Sequence, residues 1–154
     1  MEQKHALSLT IRAATPADCG PIHDIEASSS TVPWSPDAIA RELSNPNGFN
    51  FLAVTDDEPA AAGFIFAAVV ADELSIHNIA THSGMRRQGI ARGLLEFVLD
   101  RARSRGALSA YLEVRSKNVP AITLYEKLGF QSVSVRKKYY SVDNDDAIIM
   151  CKKL

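Results

Sequence analysis

The chain has 154 residues, 46% apolar and 23% charged, with a formal net charge of −1. Those proportions suit a soluble globular protein, and the length predicts a single domain with a full hydrophobic core. The near-neutral balance excludes the global basic field of a direct nucleic-acid binder.

In chain order, the start Met1-Glu2-Gln3-Lys4-His5 is polar and lacks the apolar stretch of a signal peptide. Leu7 to Arg12 alternates and predicts a first strand. Thr15-Pro16-Ala17-Asp18 reads as a helix start, with Thr15 as N-cap, proline in the first turn and an acid three residues on. Ile22, Ile25 and Glu26 carry that helix to a serine-rich break at Ser28 to Ser30. Ser35-Pro36-Asp37 repeats the start signal for a second helix ending near Leu43, and Asn45-Pro46-Asn47-Gly48 is a turn. Strands are expected near Phe49 to Thr55, Ala60 to Ala71 and Leu74 to Thr81, the first two joined by Asp56-Asp57-Glu58. The run from Ala60 is too short to span a bilayer as a helix, so no membrane partner is expected.

A third helix is expected from about Gln88 to Arg105, with Ile90, Leu94, Phe97 and Val98 on one face and Gly106 as its stop. Ala107 to Arg115 reads as a strand in which Leu108, Ala110, Leu112 and Val114 alternate with more polar positions. Asn118-Val119-Pro120 opens a fourth helix with Ile122, Leu124, Tyr125 and Leu128 on its apolar side, closed by Gly129. Phe130 to Lys138 and Asp146 to Lys152 read as closing antiparallel strands around Asp143-Asn144-Asp145. This order predicts one α/β or α+β domain with a mixed sheet. Cys19 and Cys151 show neither CxxC nor metal-ligand spacing. They point to a reducing, cytoplasmic setting, to thiols used for packing, and to no bound metal.

Residues 86 to 91, Arg-Arg-Gln-Gly-Ile-Ala, join an apolar strand to an amphipathic helix. A helix start leaves N–H groups without intrahelical acceptors, and with the positive end of the dipole they favour a phosphate. Gly89 and Ala91 keep the backbone uncrowded, while Arg86, Arg87 and Arg92 add charge. A nucleotide P-loop is excluded, because no Gly-Lys-Ser/Thr follows. Glu113 stands between Leu112 and Val114, where a buried carboxylate needs a partner or a role. Arg115, two residues on, offers one partner. Tyr125 reads as a core aromatic with its hydroxyl at the rim, and Asn118 as an N-cap.

Four stretches together resemble the GNAT acetyltransferases, and within them the RimI-like ribosomal-protein alanine N-acetyltransferases. They are Val32-Pro33-Trp34-Ser35; His77-Asn78-Ile79-Ala80 leading into residues 86 to 91; Leu112 to Asn118 continuing through Ala121 to Glu126; and Arg136 to Tyr140 with Asp146 to Met150. The resemblance implies a mixed, mostly antiparallel sheet of about seven strands flanked by four helices, with a parallel pair splayed at the acyl-CoA site. It implies acetyl-CoA as cosubstrate, its pantetheine arm lying along Ile79, Ala80 and Thr81 and its pyrophosphate on Arg86, Arg87, Gln88, Gly89, Ile90, Ala91 and Arg92. Asn118 would add a hydrogen bond to the arm.

By the same resemblance Glu113 is the general base that takes the amine's proton, and Tyr125 the acid that protonates the departing thiolate. Trp34, Asn78, Tyr139 and Tyr140 would wall a groove for a peptide N-terminus, here a ribosomal protein beginning with alanine. His82-Ser83-Gly84 departs from the acidic turn of the relatives, and His82 reads as a solvated turn residue. His77 has no assigned role. The acidic residues Asp143, Asp145 and Asp146 read either as an attraction for a basic peptide or as a solvated turn. Two rival readings stay open: a GNAT acting on a small amine or lysine side chain, and a non-catalytic acyl-CoA-binding module.

Overall fold

The computed structural model describes residues 8–57, 59–140 and 144–154. Met1 to Leu7, Glu58 and Asp143, all invoked above, lie outside the described residues. The strands are β1 (Leu9–Ala13), β2 (Phe51–Thr55), β3 (Ala61–Val70), β4 (Glu73–Thr81), β5 (Ser109–Arg115), β6 (Gln131–Tyr140) and β7 (Asp145–Lys153). The helices are α1 (Cys19–Ser29), α2 (Pro36–Leu43), α3 (Ile90–Ser104) and α4 (Val119–Lys127), with single 3-10 turns at Pro16–Asp18 and Ser83–Met85. The strands form one seven-stranded sheet in the order β1-β2-β3-β4-β5-β7-β6. Its parallel ladder joins β4 to β5, and β1–β2, β2–β3, β5–β7 and β6–β7 are antiparallel. The expected mixed, mostly antiparallel fold is observed. No helix among the described residues is long and apolar enough to cross a membrane.

Contacts gather into two compact units, one of residues up to Phe66 with Asn78–Leu95, the other of Ala67–His77 with Glu96–Leu154. In the first, Ile22, Ile25, Ile39, Leu52, Phe64 and Phe66 form a buried cluster with Trp34 packed against it. The entry to α1 is fixed by Asp18, whose Oδ2 accepts the Thr15 N–H at 2.8 Å while its carboxylate takes two Arg12 N–H bonds. The Arg12 guanidinium holds the Asp18 carboxyl below its usual range. Of the serines expected to break α1, Ser28 and Ser29 belong to its last turn and Ser30 is its extended C-cap. Ser28 and Ser29 hydroxyls each donate to Ile25 O at 2.8 Å, which lets a polar run end the helix rather than precede its end.

In the second unit β5 alternates as expected at Ala110, Leu112 and Val114, all buried. Leu108 does not join them; it is 62% exposed. It precedes β5, its N–H donating to Asp72 O at 2.6 Å, so strand alternation does not govern it. The last hairpin is longer than expected at both strands, with Tyr139 and Tyr140 inside β6 and Asp145 and Lys153 inside β7. β6 is exposed nearly throughout, and its register with β7 shifts between Arg136 and Tyr140, where Lys138 takes a left-handed φ of 51°. The Lys138 N–H donates to Asp146 Oδ1 at 2.8 Å and holds that bulge.

Candidate active site

The paired register of β4 with β5 runs from Glu73↔Ser109 to Ile76↔Leu112, although β4 continues to Thr81. Residues Asn78 to Thr81 lie within the first unit, and the backbone there leads through His82 into the loop before α3. His82 Nδ1 accepts the Gly84 N–H at 3.1 Å, and the Ser83 N–H donates to Ser28 Oγ at 3.2 Å. His82 is therefore a turn-maker, as expected.

Arg86, Arg87, Gln88 and Gly89 are exposed, and α3 starts only at Ile90 rather than Gln88. Arg87 and Gly89 take left-handed φ values of 63° and 75°, the kind of backbone that occurs in anion-binding nests. Nothing lies within 4 Å of where a Gly89 Cβ would stand. Exposed backbone donors, three arginines (Arg86, Arg87 and Arg92) and the start of a four-turn helix fit a pyrophosphate. Ile90 differs from its neighbours: its side chain is buried.

One determinant of this corner escaped the sequence. A Cβ on Gly63 of β3 would stand 2.8 Å from Ile90 Cγ2 and 3.0 Å from Ala80 O. Gly63 thus lets β3, the outer half of β4 and the start of α3 meet closely. The only sequence hint was a glycine inside an otherwise apolar strand.

Trp34 and Asn78 are brought together by a third residue, Glu26 of α1. Trp34's N–H donates to Glu26 Oε2 at 2.8 Å, and Asn78 Nδ2 donates to Oε1 at 3.0 Å. The Trp34 ring lies 5.6 Å from that of Phe66 and packs on the cluster that holds Ile39, four residues past Ser35, in the manner of a hydrophobic staple. In sequence Glu26 is only a position on the helix face, because nothing local marks a buried glutamate as a bridge.

In the second unit Glu113 faces away from Leu112 and Val114, and its side chain is 36% exposed. The expectation of a carboxylate enclosed at the sheet centre is corrected: alternation puts it on the more open face. Its salt bridge comes from Arg136 Nη1 at 3.4 Å, which reaches over β7 from β6. Arg115 lays its guanidinium over the Tyr140 ring, 3.9 Å from the centroid. Tyr139 and Tyr140 meet edge to face at 5.2 Å, and Arg136 lies 5.4 Å from the Tyr139 ring.

Tyr125 on α4 is 7% exposed, and burial, reinforced by Tyr140, pushes its phenol up to about 12. Burial also raises Tyr140, with the charge of Glu113 next in effect. Tyr140 is therefore within electrostatic reach of both Glu113 and Tyr125, a carboxylate and a phenol. Such a pair can accept one proton and supply another.

Asn118 caps α4, its side chain accepting the Ala121 N–H at 3.3 Å. Asp145 is not a solvated turn residue. It is buried, accepts from Ser116 Oγ at 2.5 Å and from the Lys117 N–H at 3.4 Å, and the Ser116 bond holds its carboxyl below the usual range. It therefore anchors the segment between β5 and α4. Asp146 lies 3.6 Å from Lys137 Nζ.

Residues 20–130 match the model of the acetyltransferase (GNAT) family. The chain is 36% identical over 143 residues to the [ribosomal protein bS18]-alanine N-acetyltransferase of Escherichia coli K12, covering 92% of this chain and 95% of that protein. The crystal structure of the E. coli ribosomal-protein-S18-alanine N-acetyltransferase superposes with a TM-score of 0.88 at 36% identity, covering 95% of this chain and 94% of that one. Ard1 of Thermoplasma volcanium gives the same TM-score at 26% identity, over 96% and 99% of the two chains.

Proposed function

Because the chain belongs to the GNAT acetyltransferase family, whose members use acetyl-CoA, we propose that it acetylates the α-amine of a protein N-terminus, the alanine of a small-subunit ribosomal protein, in the cytoplasm. The observation that carries this reading is the match to the E. coli bS18-alanine enzyme over nearly the full length of both chains.

Bound acetyl-CoA supplies an acetyl thioester, which the neutral amine attacks directly: the C–N bond forms and the C–S bond breaks. In this reading residues 86 to 92 hold the pyrophosphate through backbone N–H groups and arginine charge, and Ile79, Ala80 and Thr81 offer backbone to the pantetheine arm. Asn118 adds a hydrogen bond to the arm. Glu113 takes the proton that the amine must lose, through water. Tyr125, whose phenol is held protonated far above neutral pH, gives a proton to the sulfur that leaves. Proton return from Glu113 to Tyr125 through solvent closes the cycle. Trp34, Asn78, Tyr139 and Tyr140 receive the peptide.

An α-amine suits this machinery. Its pKa is ~8 against ~10.4 for lysine, so a lysine costs roughly 3 kcal/mol more to deprotonate. The test is acetyl transfer to a panel of N-terminal peptides, with free lysine and polyamines as controls. Peptides starting with alanine are expected to be acetylated; transfer only to the small amines would overturn the reading.

A further inference from the structure

We infer that Glu26 is a positioning residue for the amine acceptor, setting the Asn78 side chain with its carbonyl oxygen turned outward to receive an amine N–H. The inference rests on the acetyl-transfer reading above and adds to it how the acceptor is selected.

Glu26 follows Ile25 on α1 and is 3% exposed, a place where the helix pattern asks for an apolar side chain. A buried carboxylate is costly unless it is paired. Among the described residues no cation pairs with Glu26; its two oxygens are taken by two neutral donors, the Trp34 N–H and Asn78 Nδ2.

With both oxygens accepting, Glu26 offers Asn78 no donor. The Asn78 amide is thus held one way round, NH2 inward and Oδ1 outward. No donor among the described residues reaches that oxygen, and no buried side-chain polar atom there lacks a partner. Asn78 Oδ1 therefore opens to solvent. An outward acceptor selects a ligand rich in N–H bonds, as the terminal amine of a peptide is.

The arrangement makes Glu26→Gln informative beyond the loss of charge. The Trp34 N–H still requires an oxygen, so the new amide nitrogen must face Asn78. Asn78 then turns over and presents NH2 outward, donor to donor against the incoming amine. Glu26→Gln with Asn78→Asp restores the outward acceptor, because the glutamine nitrogen binds one aspartate oxygen and leaves the other free.

The experiment is steady-state kinetics with the amine that the wild type acetylates, alongside thermal unfolding. Glu26→Gln is expected to raise KM for the amine about tenfold, the scale of one hydrogen bond to a charged group, with KM for acetyl-CoA and Tm little changed. The double variant is expected to recover to within about threefold of wild type. Asn78→Ala, which leaves Glu26 its bond to Trp34, is expected to match the single-variant rise and covers the case in which Glu26→Gln does not fold. An unchanged amine KM in Glu26→Gln or Asn78→Ala, or a folded double variant without recovery, overturns the inference. Failure of the peptide reading shows separately, as a wild type that acetylates only small amines, and the same comparison is then made on those amines.

Discussion

Arg136 Nη1 lies 3.4 Å from Glu113 Oε1, a cation from the edge strand of the sheet laid across β7 onto a carboxylate of β5. Both side chains are partly exposed, so the pair is cheap to open, about 0–1 kcal/mol. As the proposed base, Glu113 would exchange Arg136 for water at little cost. Glu113→Gln is expected to lower kcat by about 100-fold or more, the usual worth of a general base, with acetyl-CoA affinity unchanged. Turnover kinetics and equilibrium binding check it; a wild-type kcat would remove Glu113 as base.

Tyr125→Phe removes the proposed acid and keeps the ring that packs 6.1 Å from Phe130. A fall in kcat of about 100-fold is expected without loss of acetyl-CoA binding. The variant also carries a stability signature. Burial raises the folded phenol to about 12 from 10.0, so the folded state holds its proton more tightly. The resulting stabilisation is complete below pH ~10 and is lost as pH rises toward ~12. Denaturant titrations across that window should show a steeper loss in wild type than in Tyr125→Phe.

Gly89→Ala separates backbone strain from ligand approach. A methyl there meets nothing in the protein, so the free enzyme should lose only about 1 kcal/mol for a non-glycine residue at φ 75°. The same methyl stands in the concavity assigned to the pyrophosphate. Acetyl-CoA affinity is expected to fall at least about tenfold, more than strain alone accounts for. Calorimetric binding beside thermal unfolding reads the two effects apart.

Gly63→Ala is expected to act at a distance from any ligand. Its methyl must displace Ile90 or the Ala80 carbonyl, overpacking worth about 1–3 kcal/mol. Stability and acetyl-CoA affinity should fall together, because the displaced atoms belong to the start of α3 and to the outer half of β4. A variant of wild-type Tm and affinity would show that the corner can relax freely.

Much of the fold was legible because its elements announce themselves locally: Thr15 and Asp18, Ser35 and Asn118 mark helix starts, and Ala110, Leu112 and Val114 alternate. The loop at residues 86 to 92 was legible as a turn for the same reason, since its glycine and its arginines lie together in sequence. What escaped depends on partners distant in sequence. Glu26 gains its meaning from Asn78, 52 residues away, and Glu113 its cation from another strand. Asp145 reads as a turn residue until Ser116 buries it. Leu108 follows a strand's rhythm one residue before the strand exists.

The bulge at Lys138 has a consequence for the molecule in a crowded cell. β6 ends the sheet and presents open backbone groups to any passing extended chain, the usual seed of edge-to-edge growth. A left-handed residue in mid-strand interrupts that row, and Arg136, Lys137 and Lys138 set three cations around the interruption. An intruding strand would have to match a broken register while burying charge, which is how natural sheets keep a bare edge from polymerising. The kink beside Tyr139 and Tyr140 thus gives this edge a break of the kind that natural sheets set against strand addition.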